Sequence, residues 1–147
     1  MGDKLSMKRR VEFMDTDVAG IVHFTAFFRY METAEHELMR AVGMPVEVLR
    51  VERKLGFPRV SCSFDFRKPL KFADELEVRI HVARLGKQSI TYVAEIVRDD
   101  EVLAEGQSVC ACCEMQAGGS FKTVEVPDDI IEKLKHYLIE ENNETCD

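Results

Sequence analysis

The chain has 147 residues, enough for one domain around one core. Lysines and arginines number 20 against 27 aspartates and glutamates, a net charge of −7 that argues against nucleic acid as the main partner, because phosphate backbones want a basic surface. No apolar run approaches the ~20 residues that cross a bilayer, and "MGDKLSMKRR" lacks the apolar centre of a secretion signal, so the cytosol is the expected location.

In chain order, residues 5–13 alternate, with Leu5, Met7, Val11 and Phe13 on one side, and predict a strand in which Arg9 is the exception. Residues 25–42 predict a helix. Phe27, Met31, Ala34 and Leu38 recur at spacings of three and four, Phe24, Phe28 and Met39 widen the stripe, and Gly43 with Pro45 ends it. Four strand-like stretches follow at 59–67, 76–82, 89–97 and 102–115, joined by the short turns "LGKQ" and "RDDE", which imply antiparallel hairpins. Pro127, acids in the first turn and the stripe Ile130, Ile131, Leu134, Leu138 predict a second helix. The order β–α–β–β–β–β–α predicts a two-layer α+β domain over residues 1–140, a five-stranded antiparallel sheet wrapped around one long central helix plus a C-terminal helix, which is a hot-dog fold. Residues 141–147 are expected to fray.

Two further patterns carry expectations. Ala104, Gly106, Ser108, Cys110 and Cys112 share one face of the last strand. That row of small side chains would let the helix's Phe/Met stripe approach, or else form a subunit contact. Of five cysteines, three are crowded into "CACC", where adjacent strand residues point to opposite faces and do not suit a metal cage. No metal is expected, and the thiols read as reduced.

The stretch that carries chemistry is "DTDVAGIVHFTAFF", residues 15–28: two aspartates, a glycine and a histidine just ahead of the apolar helix. The stretch is similar to the entry loop of the 4-hydroxybenzoyl-CoA thioesterase family, a resemblance that implies a thioester substrate; a thioester is already electrophilic, and its leaving thiol has a pKa near ~8.5, so it departs with little acid help. What must be supplied is a nucleophile or base and a donor to the carbonyl oxygen. A carboxylate in the loop provides the first, and unpaired amides at the helix start the second. Gly20 lets the backbone come close to a ligand or take a dihedral closed to other residues. Asp15 and Asp17 share a face, so spacing does not choose between them.

This motif resembles the signature of the 4-hydroxybenzoyl-CoA thioesterase family of hot-dog enzymes. "FPRVSCSFDFRKPLKFADELEV" and "LGKQS" are similar to its following strands and to its coenzyme A hairpin. The resemblance implies acyl-CoA hydrolysis and assigns the catalytic carboxylate to Asp17, leaving Asp15 to organise the turn. The oxyanion donor is expected to be the backbone N–H of Phe24, with that of His23 as a further choice. The His23 side chain is expected to be structural or pocket-lining, being one position off the family's histidine. Glu35 is expected either as a pocket carboxylate with a raised pKa or, the favoured reading, at the stripe's edge, reaching water or an arginine. For coenzyme A, bound as part of the substrate and with no other cofactor, Arg84, Lys87 and Ser89 are favoured over the cluster Arg67, Lys68 and Lys71. The family further implies a homo-oligomer, a dimer or tetramer, with sites across the subunit boundary. A hot-dog hydratase or dehydratase and a noncatalytic acyl-CoA or acyl-carrier binding protein are the alternatives. The acyl group itself is not readable. Phe27, Phe28, Phe57 and Phe64 could line a pocket or simply be core.

Overall fold

The computed structural model of the chain describes residues 2–140. Strand β1 (Leu5–Arg10) leads through a 3-10 turn at Phe13–Asp15 into the helix α1 (Phe24–Ala41). A short helix α2 (Val46–Arg53) and the two-residue strand β2 (Leu55–Gly56) follow. Then come the long antiparallel strands β3 (Arg59–Phe66), β4 (Glu75–Leu85), β5 (Ser89–Arg98) and β6 (Glu101–Ala111). The chain closes with β7 (Cys113–Met115), β8 (Phe121–Thr123), α3 (Asp128–Leu134) and a 3-10 turn at Lys135–Tyr137.

The main sheet has five strands in the order β1-β4-β5-β6-β3, every pair antiparallel. It curves around α1, whose buried face is Ala26, Phe27, Tyr30, Met31, Ala34, Glu35, Leu38 and Met39. That face meets Val78, Ile80 and Val82 of β4 and Ile90, Ala94 and Ile96 of β5, all at or near zero exposure. Each of these valines and isoleucines contributes roughly 1.5–3 kcal/mol by leaving water. This is the hot-dog architecture expected from the element order.

Four details depart from the sequence reading. The first strand stops at Arg10, and Phe13 lies in the turn, 78% exposed, because Val11 bonds to the backbone of Ala73 and Asp74 instead of extending β1. The helix α2 was not foreseen. It buries only Leu49, is closed by Lys54 in the left-handed conformation at φ 56, and at 8 residues is shorter than the window in which a helical pattern stands out. The stretch 102–115 is two strands, since Cys112 turns to bond Gln88 O and Val124 N and hands β7 to a separate small sheet with β2 and β8. The C-terminal helix ends at Leu134, earlier than the stripe suggested.

The row of small residues on β6 does receive bulk, chiefly from the neighbouring strand. A Cβ on Gly106 would lie 2.5 Å from the Phe64 ring, and Phe27 and Phe28 of α1 pack against the far side of that ring. β3 is an edge strand and most of it is exposed, including Val60, Cys62 and Phe66. Cys110, Cys112 and Cys113 are buried, and all four described cysteines are free thiols. Burial pushes the thiols of Cys110 and Cys112 up to about 11. Among the described residues no group of His, Cys, Asp and Glu is placed to hold a metal, and no helix is long and apolar enough to cross a membrane. Cys146 and the tail 141–147 lie outside the described residues.

Candidate active site

Asp15 is the hub of the loop that enters α1. It is 3% exposed, and its Oδ2 accepts the Glu12 N–H and the Tyr30 hydroxyl, both at 2.9 Å, while Oδ1 lies 3.0 Å from the Arg29 guanidinium. Burial pushes its carboxyl upward, but the Glu12 amide, Tyr30 and Arg29 together outweigh that and hold it below the ordinary carboxylate value. The same residue's carbonyl accepts the His23 N–H at 2.8 Å, which ties the turn to the helix start.

Between these anchors the chain makes a small hairpin. Thr16 bridges to Val22, Asp17 N–H bonds Ile21 O at 2.9 Å, and Gly20 N–H bonds Asp17 O at 3.0 Å. Gly20 has φ +81, a conformation that side chains other than glycine's rarely adopt, so the turn needs it there. The hairpin lifts Asp17 to the rim of a groove of about 410 Å³, lined also by Val22, Phe24, Phe27, Phe66 and Lys68. Asp17 is half-buried, and its Oδ1 accepts the Ala19 N–H at 2.8 Å.

The helix start faces the same groove. His23 is the N-cap: its Nδ1 accepts from the Thr25 N–H at 3.2 Å and lies 2.7 Å from Thr25 Oγ1. The Ala26 amide bonds back to His23 O. Phe24 is the first residue of α1, and its N–H has no acceptor among the described residues. It points from the positive end of an 18-residue helix. His23's own amide, the other donor considered, is taken up by Asp15 O and is not available to an oxyanion. Its imidazole is occupied as a cap and does not line the groove.

The basic residues separate into two places. Arg67 and Lys68 line the Asp17 groove, Lys68 paired with Glu101 at 2.5 Å. Lys71 is exposed outside it. Arg84 and Ser89 share a hollow on the outer face of the sheet with Thr91 and Gln107. Lys87 is not in that hollow and pairs with Glu125 at 3.2 Å. This hairpin lies where β3 begins, since Ser89 pairs Ala111 and Arg59 pairs Cys110, whereas Asp17 lies where β3 ends, at Phe66. One chain therefore does not bring Asp17 and the hairpin cations together.

Glu35 does reach an arginine, Arg59, whose Nη2 is 2.5 Å from Glu35 Oε1. The carboxylate is only 4% exposed, and burial pushes its pKa up against the pull of that guanidinium. Arg59 also bonds Ser108 Oγ and Glu32, and the Cys110 thiol lies 3.7 Å from Glu35 Oε1. The participation of Arg29, Tyr30 and Arg59 was not foreseen. Tyr30 lies in the predicted helix and Arg59 in a predicted strand, and no local pattern links either to its carboxylate.

A family model described as the thioesterase-like superfamily matches residues 11–134. The chain belongs to the thioesterase-like superfamily. A 1,4-dihydroxy-2-naphthoyl-CoA hydrolase of Prochlorococcus marinus (strain MIT 9303) is 31% identical over 107 residues, covering 68% of this chain and 71% of that protein. The structure of a gentisyl-coenzyme A thioesterase superposes with a TM-score of 0.80 at 27% identity, covering 88% of this chain and 98% of the other. A 4-hydroxybenzoyl-CoA thioesterase variant, solved with 4-hydroxybenzoyl-CoA, shares the fold at a TM-score of 0.82 and 24% identity over 90% of this chain and 99% of the other. This thioesterase-superfamily chain is thus an enzyme, a thioester hydrolase on a hot-dog scaffold, as its opening motif led one to expect.

Proposed function

We propose that the chain hydrolyses acyl-CoA thioesters to the free acid and coenzyme A, with Asp17 as nucleophile or general base and the Phe24 N–H as oxyanion donor. The observation that carries this reading is that half-buried Asp17 and Phe24, the first residue of α1, whose N–H is unpaired among the described residues, line one groove. A carbonyl oxygen bonded to that amide develops negative charge against the helix dipole, an effect worth ~3 kcal/mol in other oxyanion holes. As general base, Asp17 takes a proton from water while the water oxygen bonds to the acyl carbon. The carbon–sulfur bond then breaks and the thiolate carries off the electron pair. As nucleophile, its oxygen forms an acyl anhydride that water opens. Oxygen-18 incorporation into Asp17 in a single turnover distinguishes the two routes. Because His23 is engaged in capping, the Asp–His pair that a hydratase needs is not favoured.

The working unit in this reading is a homo-oligomer built on the β3 edge, a strand with one side open and Val60 and Phe66 exposed, which a monomer would have to protect. Two copies of β3 paired antiparallel about their centre set Phe66 of one opposite Arg59 of the partner subunit. That brings the partner's Arg84 and Ser89 to the Asp17 end, where the coenzyme's phosphates can meet them together with Lys68. The relatives named above act on aromatic acyl-CoAs, and we extend an aromatic acyl group to this chain.

The test is thiol release from a panel of aromatic, short and long acyl-CoAs, with wild type and Asp17→Asn. Loss of the base should lower kcat by about 10²–10⁴ with KM little changed. Release from no thioester, or full activity in Asp17→Asn, refutes the reading.

A further inference from the structure

Asp17 and the Phe24 amide can act together only if the start of α1 keeps one particular amide free. The amides there show how narrow that condition is. The N–H of Val22 bonds Leu70 O at 2.8 Å, and that of His23 bonds Asp15 O at 2.8 Å. The N–H of Thr25 bonds His23 Nδ1 at 3.2 Å, and that of Ala26 bonds His23 O at 2.9 Å. In this run only the Phe24 amide is left over among the described residues. If the Asp15 carbonyl turned away, the His23 amide would be released, and the helix start would present two donors with neither fixed. The Asp15 peptide therefore sets where an oxyanion can bind.

Three groups hold the Asp15 side chain, and they are not equal. The Glu12 N–H belongs to the same turn and moves with it. The Arg29 guanidinium is half exposed, where water screens an ion pair. The Tyr30 hydroxyl, donating to Oδ2 at 2.9 Å, is the one fully buried side-chain link between the turn and the body of α1. Its ring is braced in turn. Phe27 meets it edge-on at 6.1 Å, and the Arg9 guanidinium lies over its face at 5.0 Å. Arg9 is held there by Thr33 Oγ1, which accepts from its Nη1 at 3.2 Å. This accounts for the charged residue that breaks the apolar alternation of β1: it faces inward over a phenol. Burial and the Asp15 carboxylate push that phenol's pKa up, and the Arg9 charge pulls against them, which keeps the hydroxyl a firm donor.

We propose that Tyr30 is a positioning residue for the hydrolysis: its hydroxyl, braced by Arg9, fixes Asp15, and through the Asp15 carbonyl it makes the Phe24 amide the oxyanion donor. The proposal rests on the thioesterase reading given above. It goes further in tracing the donor's placement to a side chain that has zero exposure and so meets no substrate itself.

Tyr30→Phe deletes the hydroxyl alone and leaves the ring between Phe27 and Arg9. It is compared with wild type on the fastest thioester of the panel above, well below the melting temperature of either protein. A misplaced donor should lower kcat by about 10- to 100-fold. KM, and the affinity for the non-hydrolysable thioether phenacyl-CoA, should stay within about twofold of wild type. Infrared spectra of a thioester with a carbon-13 carbonyl, bound to Asp17→Asn with and without Tyr30→Phe, read the donor directly. A hydrogen bond weakens the C=O bond and lowers its stretch, so adding Tyr30→Phe should raise it. Arg9→Met keeps the hydroxyl but frees the ring; it should lower kcat by less, and it carries the test if Tyr30→Phe does not fold. A Tyr30→Phe enzyme that melts earlier yet turns over at the wild-type rate shows a structural role only and overturns the proposal, as does an unmoved carbonyl stretch. Arg9→Met with wild-type kcat overturns the bracing. These results leave the hydrolase reading standing, whereas no turnover of any thioester by wild type removes that reading and this proposal with it.

Discussion

Asp15→Asn is the substitution whose cost the structure defines best. Asparagine keeps the shape and one acceptor but turns the other oxygen into a donor. In one rotamer its NH₂ faces the Glu12 N–H and the Tyr30 hydroxyl, and in the other it faces the Arg29 guanidinium. Tyr30 has zero exposure, so a hydroxyl left unpaired there costs about 1–3 kcal/mol, and a lost bond to a charged group about 1.5–3 kcal/mol. Arg29 is half exposed, and its share is discounted to about 0.2–1 kcal/mol. The expected loss is about 3 kcal/mol, which for a chain of this size lowers Tm by about 10 °C. Denaturant and thermal unfolding measure it directly. The acid limb gives a second reading. Asp15 has a folded pKa held below its ordinary 3.8, so its stabilisation is complete above that value and is lost as pH falls through the folded pKa. Asp15→Asn should lack that acid-dependent loss. A destabilisation under about 1 kcal/mol, or an unchanged acid limb, would refute the view that this carboxylate holds the loop at 16–22 to α1.

Three further outcomes are expected. Gly106→Ala forces a methyl into the Phe64 ring and should destabilise by about 1–3 kcal/mol, seen as a lower denaturant midpoint; a neutral effect would show that the ring can move aside. Arg84→Ala should raise KM for acyl-CoA several-fold and weaken its salt dependence with kcat nearly unchanged, while Lys87→Ala, already paired with Glu125, should do less. An unchanged KM in Arg84→Ala removes that residue from the coenzyme site. Cys62→Asp places like charges near the two-fold of a β3 pair and should shift sedimentation towards monomer together with a loss of turnover; an intact, active oligomer would rule out this edge.

Local periodicity made the frame legible. The three- and four-residue spacing from Phe27 to Leu38 places α1 within a residue of its observed ends, alternation marks the strands from β3 to β6, and the short turns give the β4–β5 and β5–β6 hairpins, because each signal is local. The turn that enters α1 was legible for the same reason: Asp17, Gly20 and the helix start are neighbours in sequence, and one tight turn relates them. Contacts between distant segments were not. Glu35 and Arg59 are 24 positions apart, and the Asp17 groove is completed by Phe66 and Lys68 from the far end of β3. Cys112 leaves its strand because Gln88 and Val124 offer its backbone better partners. The chain's own order determined the sheet, the central helix and the carboxylate at its mouth. Only folding decided which amide stayed unpaired, which histidine became a cap and which glutamate was buried beside an arginine, because each outcome depends on what a remote segment brings within hydrogen-bond reach.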